Sequence, residues 1–269
     1  MPELPEVETT RRGIEPHSLG QIIKQIIVRQ PKLRWPVDPE INQKLSGQRI
    51  IGISRRAKYL LIEMSIGHLM IHLGMSGSLK VITDQKLEKH DHIDICLLNG
   101  KRIRFNDPRR FGSVLFNPGG ATHRLLKDLG VEPLSEDFMN DYLYQKAIGR
   151  KIAVKSFIMN NQVVVGIGNI YAQESLFLSG IHPNRAANKV SKRRMNILLK
   201  NIKKVLSEAI QAGGSSLKDF TGADGKPGYF QQSLAVYGRQ GQACVQCGST
   251  LKLKVIGQRS TIYCGTCQH

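Results

Sequence analysis

Apolar and polar positions divide this chain into two halves of different period. Up to about residue 130 the apolar residues come in short β-rich runs: Ile22–Val28, Gln48–Ser54, Tyr59–Met64, His68–His72, Leu79–Ile82, Ile93–Leu98, Lys101–Phe105 and Ser113–Phe116. Turn signals separate them, Asn99-Gly100 and Asn117-Pro118-Gly119-Gly120 among them. Ahead of the first run, Pro5 suits an opening helical turn and Glu6 and Glu8 suit a positive helix N-terminus, which predicts a helix from about Pro5 to Glu15. This half reads as a β-sandwich with one N-terminal helix.

Near Leu129-Gly130-Val131-Glu132-Pro133-Leu134 the period changes to that of helices. Ser135 is expected to begin one helix, with Asp137 close behind, and Lys155 to Asn160 to begin another. Two glycine turns, Gly166 and Gly168, feed a third that opens at Asn169 and runs through Phe177. Lys189 to Ala212 is a long amphipathic helix, with Ile197, Leu198, Val205, Leu206 and Ala209 inward and Lys192, Arg193, Lys200, Lys203 and Lys204 outward. Gly213 to Gly228 is glycine-rich and reads as a mobile loop. These changes of pattern place domains at residues 1–132, 133–228 and 229–269.

With 269 residues, each half is large enough for its own core. Lys and Arg outnumber Asp and Glu by 39 to 21, a formal net charge of +18, so a polyanion is the simplest partner. An anionic membrane is the rival, but no apolar run approaches the ~20 residues of a spanning helix. Five cysteines, four of them near the C-terminus and Cys96 apart, argue against a secreted disulfide framework and for a reducing cytoplasm. Three glutamates at the start, where an export signal needs cations and an apolar run, agree with that expectation.

Candidate chemistry begins at Met1-Pro2-Glu3. Removal of Met1 would leave the secondary amine of Pro2 free, and an α-amino group titrates near ~8 rather than the ~10.4 of lysine, so it is more often in its nucleophilic neutral form. A helix dipole just behind it disfavours the protonated amine, while Glu3 and Glu6 favour it. Further on, Arg55-Arg56-Ala57-Lys58-Tyr59 sets three cations before a strand, either a solvated edge or a phosphate clamp. His72-Leu73-Gly74-Met75-Ser76-Gly77 puts a methionine on a glycine-flanked turn, and Asp107-Pro108-Arg109-Arg110-Phe111-Gly112 presents two guanidiniums with one ring, which suits a wedge into a base stack or a surface cation–π pair. Alternation would put His90, His92 and Asp94 on one strand face, a pattern open to a metal but more commonly that of a polar strand, and no metal is assigned there.

The strongest spacing signal is Cys244-Val245-Gln246-Cys247 with Cys264-Gly265-Thr266-Cys267, two knuckles joined by a hairpin around one tetrahedral Zn²⁺. Four cysteines leave no position for water, so the metal is structural. Arg259 lies in the hairpin between the knuckles, where it can reach a groove or phosphates.

PELPEVE, RRAKYL, HLGMSGS, DPRRFG, GNIYAQESLF, DGKPGYF and the paired CxxC motifs, in this order, resemble the bacterial formamidopyrimidine-DNA glycosylases along nearly the whole chain. The resemblance implies an N-terminal β-sandwich catalytic domain, a helix-two-turn-helix domain and a four-cysteine zinc ribbon, with duplex DNA in the cleft between them. It implies a monomeric enzyme of the bacterial cytoplasm and nucleoid that removes oxidised purines, 8-oxoguanine and formamidopyrimidines, through a Schiff base on Pro2, followed by β- and δ-elimination. Glu3 becomes the acid/base partner at the sugar, Glu6 an organiser, and Lys58, His72, Asn169 and Arg259 phosphate contacts. Met75, Arg109 and Phe111 become the residues that fill the duplex gap, with Arg109 facing the orphaned cytosine. Lys155 matches a position linked to lesion choice, and His90 and Arg150 match DNA contacts. Two rivals are a non-catalytic zinc-ribbon binder, which leaves Pro2 and DPRRFG without a role, and the endonuclease VIII type, which opens on a different motif.

Overall fold

The computed structural model describes residues 2–119, 122–214 and 234–269. The expected Gly213 to Gly228 loop therefore lies outside the described residues apart from Gly213 and Gly214. The chain divides into two compact units, one of residues 2–127 with 212–214 and one of 128–211 with 234–269.

In the first unit helix α1 (Leu4–Ser18) precedes eight strands: β1 (Ile23–Val28), β2 (Gly52–Arg56), β3 (Tyr59–Met64), β4 (Gly67–His72), β5 (Ser78–Ile82), β6 (Asp91–Leu97), β7 (Arg102–Asn106) and β8 (Ser113–Pro118). They form two antiparallel four-stranded sheets, ordered β1-β6-β7-β5 and β2-β3-β4-β8. Strand alternation supplies the sandwich core, with Ile23, Ile93, Ile95 and Phe105 from one sheet and Leu60, Ile62, Leu69, Ile71 and Val114 from the other. Val7 and Ile14 bring α1 into the same core. All eight expected strands are present. Two short helices, α2 (Ile41–Leu45) and α3 (Arg124–Lys127), carry too few residues for a periodic signal.

Strand β6 lies inside its sheet and is buried along its whole length, Asp94 included. Asp94 accepts from Arg104 Nε at 2.8 Å and Arg29 at 2.7 Å. Burial alone would raise its pKa, but those two guanidiniums hold the carboxyl below the ordinary range. His92 donates through Nε2 to the Asp107 carbonyl at 2.8 Å. His92 and Asp94 are thus spent on internal pairing within the sheet.

The second unit holds α4 (Tyr142–Ala147), α5 (Val154–Ile158), α6 (Asn169–Leu178), a 3₁₀ turn at Ala187–Lys189, α7 (Lys192–Gln211), and the hairpin β9 (Lys252–Ile256) and β10 (Arg259–Tyr263). α6 packs on α7 and on β10, around buried Leu176, Phe177, Leu198, Ile202 and Ile262. Two expectations need correction. Ser135 starts no helix: residues 134–141 form turns, and Asp141, at φ +72°, delays the helix until Tyr142. Ile197 does not face inward but is 40 % exposed, because the stripe through Leu198, Ile202, Val205 and Ala209 lies a helical step of about 100° away.

Candidate functional site

Helix α1 begins with reciprocal side-chain caps. The Glu3 carboxylate accepts from the Glu6 N–H, and Glu6 Oε2 accepts from the Glu3 N–H at 2.8 Å. This is a capping box in which a glutamate takes the usual Ser or Thr place, so two anions sit on the positive end of the helix. Glu3 and Glu6 are both buried, and so is Pro2 beside them. Gly214 comes back against this point, at φ +85°, where an added Cβ would lie 3.4 Å from Glu6 Oε1.

A second cluster forms where β2 turns into β3. The turn is two residues long, Ala57 and Lys58, with Ala57 at φ +54°. A non-glycine residue there is uncommon, and it fixes the direction from which Lys58 leaves the backbone. Arg55 bonds Glu8 at 3.3 Å and the Ala57 carbonyl at 2.8 Å. Tyr59 faces His72 across the β3–β4 ladder, ring centroids 4.9 Å apart. Burial pushes His72 down to about 4, with the charges of Lys58 and Arg34 adding to the effect. Gly74 N–H donates to its Nδ1 at 3.0 Å, which fixes the neutral tautomer with the proton on Nε2, a donor suited to a phosphate oxygen.

The third cluster joins the two loops. Asp107, fully buried, accepts from Ser76 Oγ at 2.9 Å, Arg109 N–H at 3.2 Å and Gly112 N–H at 2.8 Å. Gly74 packs so closely on the Phe111 carbonyl carbon that an added Cβ would approach it to 2.5 Å, at φ +67°. One buried carboxylate therefore holds the methionine loop against the arginine loop. The tips stay out: Met75 is 38 % and Phe111 44 % exposed, and Arg109 lies over the Phe111 ring at 4.9 Å. Exposed apolar side chains on a rigid double loop are what an intercalating wedge needs. His90 is half-buried at the start of β6, where its carbonyl accepts from Asp107 N–H.

In the second unit, α6 opens at Asn169 after Gly168, as the glycine spacing predicts. Asn169 Nδ2 donates to the Ser260 carbonyl at 3.1 Å, which leaves its other N–H for a ligand. Arg259 follows the Gly257-Gln258 turn, whose φ values of +57° and +60° make a tight hairpin, and is exposed. Lys155 is 1 % exposed and donates to Thr261 Oγ1 at 2.6 Å. It braces the hairpin. Arg150 is exposed on the turn after α4, its carbonyl accepting from Asn188.

The four cysteine sulfurs lie within 4.8 Å of one another. Tetrahedral Zn²⁺ with bonds of about 2.3 Å spaces its sulfurs by about 3.8 Å. Cys244 to Cys267 is 3.9 Å and Cys247 to Cys264 is 3.5 Å, and the N–H groups of Gln246 and Cys267 point at Cys244 and Cys264 sulfurs. The donor set and its spacing fit zinc, and no fifth ligand among the described residues approaches.

Three family descriptions match in chain order: the formamidopyrimidine-DNA glycosylase N-terminal domain over residues 1–114, its H2TH domain over 129–221, and a zinc finger found in FPG and IleRS over 241–269. A formamidopyrimidine-DNA glycosylase of Alcanivorax borkumensis is 60 % identical over 269 residues, all of both chains. The chain belongs to the formamidopyrimidine-DNA glycosylase family. It is thereby an enzyme, a DNA glycosylase, and its cysteine cluster is a structural zinc site. The namesake from Hydrogenovibrio crunogenus is 56 % identical, over all of this chain and 96 % of that one. Among solved structures, MutM (FPG) from Thermus thermophilus superposes with a TM-score of 0.90 at 36 % identity, covering 99 % of this glycosylase and 98 % of that chain. Wild-type Lactococcus lactis Fpg in complex with DNA containing N7-benzyl-Fapy-dG gives 0.91 at 34 % identity, with both chains fully covered.

Two residues at these clusters escaped the sequence reading. Asp107 is the first letter of a loop read for its arginines, and an Asp ahead of Pro and Gly is itself a signal for a carboxylate that binds loop amides. Arg34 had no signal. Its closeness to Tyr59 and His72 arises from a long loop whose backbone N–H donates to the Gly112 carbonyl.

Proposed function

We propose that this glycosylase removes oxidised purines, 8-oxoguanine and ring-opened formamidopyrimidines, from duplex DNA in the bacterial cell, working as a monomer. The neutral amine of processed Pro2 attacks C1′ of the extruded nucleotide, the C1′–N9 bond breaks, and the base departs with its electron pair. The amine loses its proton and the C1′–O4′ bond then opens, O4′ taking up a proton from Glu3, which leaves an iminium that acidifies C2′. Loss of the C2′ proton breaks the 3′ C–O bond, and a second elimination breaks the 5′ one. Glu3 exchanges protons at the sugar, and Glu6 holds Glu3 through the capping box. Lys58, His72, Asn169 and Arg259 grip phosphates, and His90 and Arg150 add outer contacts. Met75, Arg109 and Phe111 occupy the gap, with Arg109 toward the unpaired cytosine. Lys155 acts on lesion choice only at a distance, through the hairpin it braces.

One observation carries this reading: a buried proline immediately precedes a helix start at which two carboxylates bind each other's amides. The test is borohydride trapping of processed protein on a duplex with 8-oxoguanine opposite cytosine. Wild type should yield a covalent adduct, and Pro2→Gly should lose most of it. Absence of any adduct with processed wild type would refute the proposal.

A further inference from the structure

Asn169 and Arg259 belong to different elements, the start of α6 and the hairpin, so something must fix one relative to the other. Gln173, one turn beyond Asn169 on α6, is 2 % exposed and uses both ends of its carboxamide. Nε2 donates to the Asn169 carbonyl at 2.9 Å and to the Ser260 carbonyl at 3.2 Å. Oε1 accepts from the Ile262 N–H at 2.6 Å. Ser260 and Ile262 are the β10 residues whose backbone groups point away from β9, so these bonds close the outer edge of the hairpin. In a parallel sheet, one residue of the neighbouring strand donates to residue i and accepts from residue i+2. The Gln173 side chain copies that single residue.

The same short segment is tied at neighbouring points. Asn169 Nδ2 shares the Ser260 carbonyl at 3.1 Å, and Thr261 Oγ1, held by Lys155, donates to the Arg259 carbonyl at 3.0 Å. Gln173 is the one side chain among these that bonds both the Asn169 backbone and the β10 edge. A buried carboxamide with every bond made holds direction as well as distance, whereas an apolar side chain of the same size would fill the space and hold neither.

We infer that Gln173 is a positioning residue that sets Arg259 and Asn169 as one rigid phosphate grip. The inference rests on the reading of those two residues as phosphate contacts. It concerns DNA affinity and not the chemistry at Pro2.

The experiment is a double-mutant cycle on the full-length, zinc-loaded protein, with Kd measured on a duplex carrying a stable abasic analogue opposite cytosine. Gln173→Met keeps the volume and removes the bonds. It should weaken binding about tenfold, while borohydride trapping at saturating DNA stays at the wild-type level. Arg259→Ala should weaken binding at least as much, and the double variant should lose clearly less than the two single losses combined, since the part of the Gln173 effect carried by Arg259 is already gone. Zinc content confirms that the hairpin is folded, and if Gln173→Met fails to retain the metal, Gln173→Leu, which also removes both ends of the carboxamide and adds no charge, takes its place in the cycle. Wild-type affinity of the Gln173 variant while Arg259→Ala is impaired overturns the inference and leaves the phosphate reading standing. Full additivity overturns it too, since Gln173 would then act elsewhere. If Arg259→Ala binds like wild type, the phosphate reading of Arg259 itself fails and takes the inference with it.

Discussion

His72 shows how one side chain can report its surroundings. Folding buries it beside Lys58 and Arg34 and lowers its pKa from 6.5 to about 4. Above pH 6.5 the imidazole is neutral in both states and adds no pH dependence. As pH falls from 6.5 toward 4, the unfolded chain takes up a proton that the folded chain refuses, so the unfolded state gains and stability drops. His72→Gln should therefore flatten the fall of Tm with pH across this window. Parallel Tm–pH curves for wild type and variant would show that the imidazole is not held neutral. The sequence marked His72 only by its motif. Its low pKa comes first from burial, then from Lys58 and from Arg34, which the chain brings from 38 positions earlier, and no local pattern can announce such surroundings.

At the scale of elements, the zinc hairpin gives the sharpest contrast between what could and could not be read. Cysteine spacing is local, since two CxxC knuckles with a hairpin between them already fix the ligand set, and the sulfurs meet as expected. What braces the hairpin is not local: Lys155 and Gln173 look like ordinary polar helix residues until β10 packs on α5 and α6. Metal binding of this kind is folding free energy, so stripping the zinc with a strong chelator should unfold β9 and β10. The chelated protein should lose at least about tenfold in affinity for lesion duplex, in line with the loss of a positioned phosphate contact, and recover on addition of Zn²⁺. Undiminished binding by metal-free protein would contradict the role given to Arg259. The misread helix at Ser135 has a similar cause. Glu132 and Met139 carbonyls close isolated turns there, and propensity alone cannot tell a turn from the first step of a helix.

Across the whole molecule, strand alternation was legible because one face of each sheet is buried and a shift of one residue would turn every apolar side chain outward. The positive charge pointed to a polyanion for an equally general reason. Neither property distinguishes a binder from an enzyme. That distinction rests on a few atoms at the start of α1, where buried Pro2 precedes the Glu3–Glu6 capping box, and on how α1 docks into the sandwich through Val7 and Ile14. Among the described residues, no helix is long and apolar enough to cross a membrane.

The most direct measurement compares two preparations of the same chain, one with Met1 removed and one with Met1 retained, in single-turnover nicking of a duplex with 8-oxoguanine opposite cytosine. If the free Pro2 nitrogen is the nucleophile, the processed protein cuts on both sides of the sugar, and the blocked protein binds the duplex but leaves it intact. Equal nicking rates in the two preparations would contradict the account.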